Sequence, residues 1–258
     1  MTRKDWNIIL ISGIVLGLLA TAGINVGLQA TAAKASQSEE MNEILTLILN
    51  SHNQWATVSG AAKITWYSPD GSTQSYTQAF SISQPGSARF ETIEASVQVN
   101  PEVWISDGSQ VYEVDTEQKT YTTSVIPAFI YDTGMIPKTP DEVQNDVIYP
   151  FPFSLLIPSP VAEYVFPHWF AQGSDKAIYK LLGEDSILDR NVWVVQLLSN
   201  NDEVSAWIDK ETGVILRYEQ QTDGKPFVSA EITSITFDGQ IDASEFSAPI
   251  DFDQVSNP

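Results

Sequence analysis

Cysteine is absent from the 258-residue chain. That absence excludes disulfide scaffolds, thiolate metal sites, cysteine nucleophiles, iron–sulfur ligation and an acylated N-terminal cysteine. Histidine is nearly absent as well. His52 and His168 are the only two, so a three-histidine zinc site is impossible, and no HExxH pattern occurs. Basic residues are scarce, 13 against 33 acidic ones, giving a formal net charge of −20. Such a surface repels phosphate backbones and argues against a nucleic-acid groove. It also disfavours docking on anionic headgroups away from the N-terminus. There is no GxSxG elbow, phosphate loop, dinucleotide fingerprint or EF-hand spacing. The chain therefore reads as a non-enzyme, with no catalytic residue, metal ligand or cofactor assigned.

Apolar residues make up 43% of the chain and aromatics 10%, enough for a sizeable core. Arg3 and Lys4 precede an apolar run over residues 6–28. At about 1.5 Å of rise per residue this run is long enough to span a bilayer core. Basic residues on its N-terminal side place Met1 in the cytoplasm and send the rest of the chain across the membrane. Ala30-Thr31-Ala32 and Ala33-Lys34-Ala35 both resemble small-residue cleavage sites. Residues 1–35 are thus a signal peptide or an uncleaved membrane anchor, and both readings stay open. Either way the remainder is extracytoplasmic, in the periplasm or at the cell-envelope exterior.

Ser36 and Glu39 have capping-box spacing, and Met41, Ile44, Leu45, Ile48 and Leu49 recur at helical intervals. The spacing predicts one amphipathic helix over residues 37–51, with His52 at its end complementing the helix dipole. From Trp55 onward the period becomes two. Ile64 and Trp66, then Tyr76, Phe80 and Ile82, alternate with polar neighbours, and Pro69-Asp70-Gly71-Ser72 turns between them. Residues 103–106 and 111–115 flank Asp107-Gly108, read as a hairpin with a type I′ turn. Alternation resumes near Ala177. Val228, Ala230 and Ile232 share a face, but the apolar phase then shifts to Ile235 and Phe237, which predicts a bulge near Ser234. The total is ten to twelve antiparallel strands in a single domain over residues 36–250, with a polar, frayed tail at 251–258.

Residues 126–172 break this pattern. They hold eight prolines, too many for a central sheet, together with many large apolar groups, too many for an exposed loop. The stretch is read as short helices and loops packed over an apolar surface. Ser159 is placed to cap a helix beginning at Pro160, which Pro167 would interrupt.

Several segments occur in a telling order. Ile64-Thr65-Trp66-Tyr67 is followed by Gln84-Pro85-Gly86-Ser87-Ala88-Arg89-Phe90-Glu91, then Val103-Trp104-Ile105-Ser106-Asp107-Gly108 and Val111-Tyr112-Glu113-Val114-Asp115. Ala206-Trp207-Ile208-Asp209-Lys210-Glu211-Thr212-Gly213 and Ile232-Thr233-Ser234-Ile235-Thr236-Phe237 come last, before Ile241-Asp242-Ala243-Ser244-Glu245-Phe246. In this order the chain resembles the LolA superfamily of outer-membrane lipoprotein carriers, with its RseB-type regulators and mycobacterial lipid carriers. The resemblance covers roughly residues 38–250.

It implies a mainly β (α+β) fold: a curved, incompletely closed antiparallel sheet, or half-barrel, with an N-terminal helix and a helical or loop lid insertion. It also implies that a lipid or lipoprotein acyl chain binds in an apolar cavity under the lid, with transport as an extension. The cavity candidates are Trp66, Phe80, Ile82, Phe90, Trp104, Tyr112, Phe153, Leu155, Phe166 and Trp169. Ordinary core packing is the competing reading of each. Arg89 matches the family's lid-latching arginine; the alternative is an ion pair with Glu91 or Glu94. His168 is read as lid packing or, alternatively, as a pH sensor. The implied partners are acyl chains, the membrane if residues 1–35 are retained, and a membrane protein if the chain is a regulator. No nucleic acid is expected, and the chain is expected to be a monomer.

Overall fold

The structure, a computed structural model, describes residues 39–96, 102–133, 136–143, 150–172 and 177–256. These fall in one compact unit, Gln37–Pro258. The apolar run, the cleavage-like sites and Ser36 of the capping box lie outside the described residues. Among the described residues no helix is long and apolar enough to cross a membrane.

The first described element is the helix α1 (Glu39–Leu49), and it buries Met41, Ile44, Leu45, Ile48 and Leu49, the stripe its spacing predicts. A 3-10 turn, Ser51–Asn53, comes next. Six strands then meander outward: β1 (Thr57–Tyr67), β2 (Thr73–Ser83), β3 (Ser87–Ala95), β4 (Val103–Asp107), β5 (Gln110–Asp115) and β6 (Thr120–Val125). After the proline-rich insertion, which contains the short helix α2 (Val161–Val165), five more strands return. They are β7 (Ile178–Ile187), β8 (Arg190–Ser199), β9 (Asp202–Asp209), β10 (Ile215–Thr222) and β11 (Lys225–Phe237). A two-residue strand, β12 (Asp253–Gln254), comes last.

All twelve belong to one sheet in the order β12-β6-β5-β4-β3-β2-β1-β11-β10-β9-β8-β7. The sheet is not closed into a barrel, since β12 and β7 are its two ends. This is the half-barrel with an N-terminal helix. The strand order dictates the path of the insertion. The chain begins mid-sheet at β1, works outward to β6, and must reach the opposite end before β7 can form. The segment between β6 and β7 therefore bridges the width of the sheet.

Pairing explains the phase change in β11. Ala61 faces Ser234 while Ala62 faces Ile232, so Thr233 is the extra residue of a bulge. Beyond it Gly60 opposes Ile235 and Val58 opposes Phe237, which keeps both apolar residues on the face used by Ile64 and Ala230. Gly60 is required here because a Cβ on it would sit 2.1 Å from the Ser234 carbonyl oxygen.

Three expectations are corrected. In the β4–β5 hairpin the loop residues are Gly108 and Ser109, and only Gly108 has positive φ, the pattern of a type II′ rather than a type I′ turn. Ser159 caps nothing: its hydroxyl donates to Glu163 Oε1 at 2.9 Å, and α2 starts one residue past Pro160. Pro167 does end the helical segment, which continues as a 3-10 turn over Pro167–Gln172. The tail is not frayed throughout. Phe252 packs against Val103, Ile105, Tyr112 and Val114 on the sheet's outer face, and β12 pairs in parallel with β6. The burial of Phe252 holds the polar residues beside it in place.

Asp209 anchors the turn between β9 and β10. Its carboxylate accepts from the Thr212 N–H at 3.0 Å and from both Arg190 nitrogens at 2.9 Å. Gly213, with φ of 73°, packs against the Leu47 carbonyl of α1. The Asp209-to-Gly213 segment thus seats the helix on the sheet.

Candidate functional site

The inner face of the sheet is apolar at its flanks and small at its centre. On one flank Phe80, Phe90 and Trp104 lie side by side across β2, β3 and β4. At the centre Gly60, Ala62 and Ala230 carry little or no side chain, and the Phe80 ring lies over Gly60. The insertion adds further aromatic groups to the cluster. Phe151 stacks on Phe166 at 4.4 Å, Phe153 meets Phe166 edge-on at 6.4 Å, and Phe166 lies 5.3 Å from Trp55. Phe153, Phe166 and Phe170 are all fully buried.

Most of the candidate ligand-binding residues meet here. Trp66, Phe80, Ile82, Phe90, Trp104, Phe153, Phe166 and Trp169 belong to one apolar cluster formed by the inner face and the insertion. Two do not. Tyr112 opposes Ile105, which alternates with Trp104, so it falls on the outer face and donates to Asp107 Oδ2 at 2.7 Å. Leu155 ends a 3-10 turn whose inward position is taken by Phe153, and it is 59% exposed.

Arg89 is not placed with the insertion. It lies between the inward Ala88 and Phe90, opposite Ile105, and pairs with Glu91 at 2.7 Å. Strand alternation thus turns it to the outer face, and the ion-pair alternative is the one observed.

The two histidines meet. His52 Nδ1 lies 3.0 Å from His168 Nε2, and both rings face Phe151, at 4.9 and 5.4 Å. Burial pushes His52 down to about 4, and burial with the neighbouring His52 pushes His168 down to about 3. A neutral imidazole does not complement a helix dipole, so the role expected of His52 is replaced by this contact. It ties the end of α1 to the insertion. Gln84 strengthens the same corner, its amide donating to the His52 and Trp55 carbonyls at 2.7 Å each.

α2 brings Glu163 into an aromatic setting. Its carboxyl interacts electrostatically with Tyr76, Tyr164 and Tyr218, and burial raises it to about 7. Tyr164 lies 5.5 Å from Tyr218, and the Trp169 indole donates to the Glu163 carbonyl at 2.9 Å. Among the described residues no group of three or more His, Cys, Asp or Glu is placed to hold a metal ion.

Sequence reasoning missed Glu163 and the histidine pairing. With 116 positions separating His52 from His168, no local spacing signals their contact. It also passed over Gln78, although a signal existed. The alternation of Tyr76, Phe80 and Ile82 points position 78 inward, where an amide is out of pattern.

No protein-family model matches the sequence, and no curated protein matches it. Solved structures do. An uncharacterized conserved protein from Thermus thermophilus is similar at 12% identity and a TM-score of 0.48, over 85% of this chain and 100% of that one. MucB in the Pseudomonas aeruginosa MucA/MucB complex is similar at 11% identity and 0.45, over 84% of this chain and 63% of that one. The chain thus spans less than two thirds of that MucB chain's length. A LolA superfamily protein from Nitrosomonas europaea is similar at 10% identity and 0.31, over 80% of this chain and 96% of that one.

Proposed function

We infer that this protein binds an acyl chain of a lipid or lipoprotein between the inner face of its sheet and the proline-rich insertion, outside the cytoplasm. The observation that carries this is the cover over the inner face. Beside α1, the cover is short helical turns, and their Phe151, Phe153, Phe166 and Phe170 join the same apolar cluster as Ala62, Ala230 and the other inner-face residues. A segment of that kind can lift as a unit, and an acyl chain then replaces its rings on the same apolar surface. Each buried methylene contributes about 0.8 kcal/mol, so one long chain offsets the loss of the ring contacts. The resemblance of the ordered sequence segments to the LolA superfamily supports the same reading. Transport of the bound lipid is the extension of it.

Membrane-anchored regulation is the second reading, and the apolar run at residues 6–28 favours it. A retained run would hold the domain at the membrane, beside a protein partner, and would prevent free diffusion.

The test is native mass spectrometry of the full-length chain purified from a bacterial host in mild detergent, followed by organic extraction. The expected result is a stoichiometric acyl lipid. A lipid-free mass that persists after added phospholipid and diacylglycerol overturns the reading. N-terminal sequencing of the same sample separates carrier from regulator: a start near residue 33 or 36 removes the anchor.

A further inference from the structure

Two side chains on the inner face each bury an oxygen atom that has no hydrogen-bond partner. Gln78 is 3% exposed, and its Oε1 has no hydrogen-bond partner. Thr92 Oγ1 is likewise buried without a partner. They are direct neighbours: Gln78 of β2 pairs with Thr92 of β3, so both side chains leave the sheet on one face. That face is the inner one, because Gln78 is two residues from Phe80 and Thr92 two from Phe90, and both phenylalanines are in the core cluster. Across β1 the opposing residue is Ala62, whose small apolar side chain offers the amide no partner.

A buried polar group without a partner costs about 1–3 kcal/mol. Two such oxygens stand side by side on a face that also carries Ile64, Phe80, Ile82 and Phe90, and neither has a hydrogen-bond partner within the protein. A ligand group that completes both bonds supplies the partner. An unpaired amide oxygen takes a donor, and a threonine hydroxyl takes either role. The complementary group is therefore a hydroxyl or an amide N–H. It is also uncharged. The buried polar side chains among the described residues are Ser51, Gln78, Ser106, His168, Gln172, Asp209 and Thr212, with no lysine or arginine to balance an anionic head.

We propose that Gln78 and Thr92 form a recognition site for the uncharged, hydrogen-bond-donating head of an acyl lipid, and that the chain prefers such lipids to those whose donor is blocked. This rests on the acyl-binding reading above and adds the ligand's polar chemistry to it.

The test uses two probes that differ at one position, 1,2-dioleoylglycerol with its free hydroxyl and the same molecule as its 3-O-methyl ether. Both are offered together to the full-length chain, and the bound ratio is read by native mass spectrometry. The wild-type chain is expected to favour the free hydroxyl about tenfold, the effect of one well-made hydrogen bond. The Gln78→Leu/Thr92→Val double variant is expected to bind both equally. Thr92→Ser, which keeps the hydroxyl, is expected to retain the preference. Removing two unpaired polar groups together should leave folding intact or improved, so a raised melting temperature accompanies the lost selectivity. Equal binding by the wild-type chain overturns the proposal and leaves acyl binding standing. So does a preference that persists in the double variant. Failure of the wild-type chain to bind either probe overturns the proposal, and the acyl-binding reading falls with it when added phospholipid also leaves the chain lipid-free.

Discussion

His52 Nδ1 and His168 Nε2 stand 3.0 Å apart, joining the turn after α1 to the insertion. One neutral pair accommodates a single N–H···N bond; two protonated rings at that distance repel. Burial holds His52 at about 4 and His168 at about 3, both below the ordinary 6.5. The unfolded chain therefore binds protons that the folded chain refuses. Stability is complete above pH 6.5 and is lost as pH falls through that value towards 4 and 3. Thermal melts between about pH 7 and 4 should show this decline, and His168→Leu should flatten a large part of it. An unchanged acid slope in the variant would sink this account.

Glu163 has the opposite sign. Burial raises its carboxyl to about 7 from 4.5, so the folded chain holds a proton that the unfolded chain releases. The stability it contributes is present below pH 4.5 and is lost as pH rises through 7, by at most about 3 kcal/mol given its partial exposure. The histidines act in the opposite direction over part of the same range, so the effect is read as the difference between the wild-type chain and Glu163→Gln, which share both histidines. Chemical denaturation between about pH 5 and 8 should show the wild-type chain losing stability relative to Glu163→Gln up to about pH 7 and no further change above it.

The sheet and α1 were legible in the sequence because their signals are local. Met41 to Leu49 repeat at helical spacing, and the loss of alternation between Ile232 and Ile235 reveals the bulge at Thr233. The tail was misread because its polar composition hides one anchor, Phe252. The site is less legible. Phe80, Phe90 and Trp104 follow from alternation, and Phe153 and Phe166 from their apolar surroundings. Which of them touch depends on the path of the insertion across the sheet, which local periodicity does not encode. Tyr112 and Arg89 show the limit from the other side. Both belong to segments that resemble the family, yet each takes the outer face because its strand register puts it there.

Asp209 provides a third test. Its side chain is 1% exposed and is gripped by Arg190 through two bonds of 2.9 Å. Removing the cation leaves a buried carboxylate held only by Thr212. Arg190→Met is expected to cost about 3–5 kcal/mol in urea denaturation. The outer carboxylate on the same arginine, Glu211, is 80% exposed, so Glu211→Gln should cost less than about 1 kcal/mol. Equal costs for the two variants would show that the burial of Asp209 is not what matters.

Gly60 is the most demanding position in the central strand. The bulge at Thr233 turns the Ser234 carbonyl towards β1, and a Cβ at position 60 would lie 2.1 Å from that oxygen and 3.0 Å from the Phe80 ring. The first contact is with backbone, so it cannot be relieved by a rotamer change. Gly60→Ala must displace β11 from β1, and because the bulge also sets the phase of Ile235 and Phe237, the displacement reaches the apolar face beneath the insertion. Overpacking of this kind costs about 1–3 kcal/mol, and more where backbone must move. The variant should unfold at a lower urea concentration than the wild-type chain, with an unchanged slope, and should retain less acyl lipid in the extraction assay. A wild-type midpoint would mean that β1 and β11 part more easily than their pairing implies.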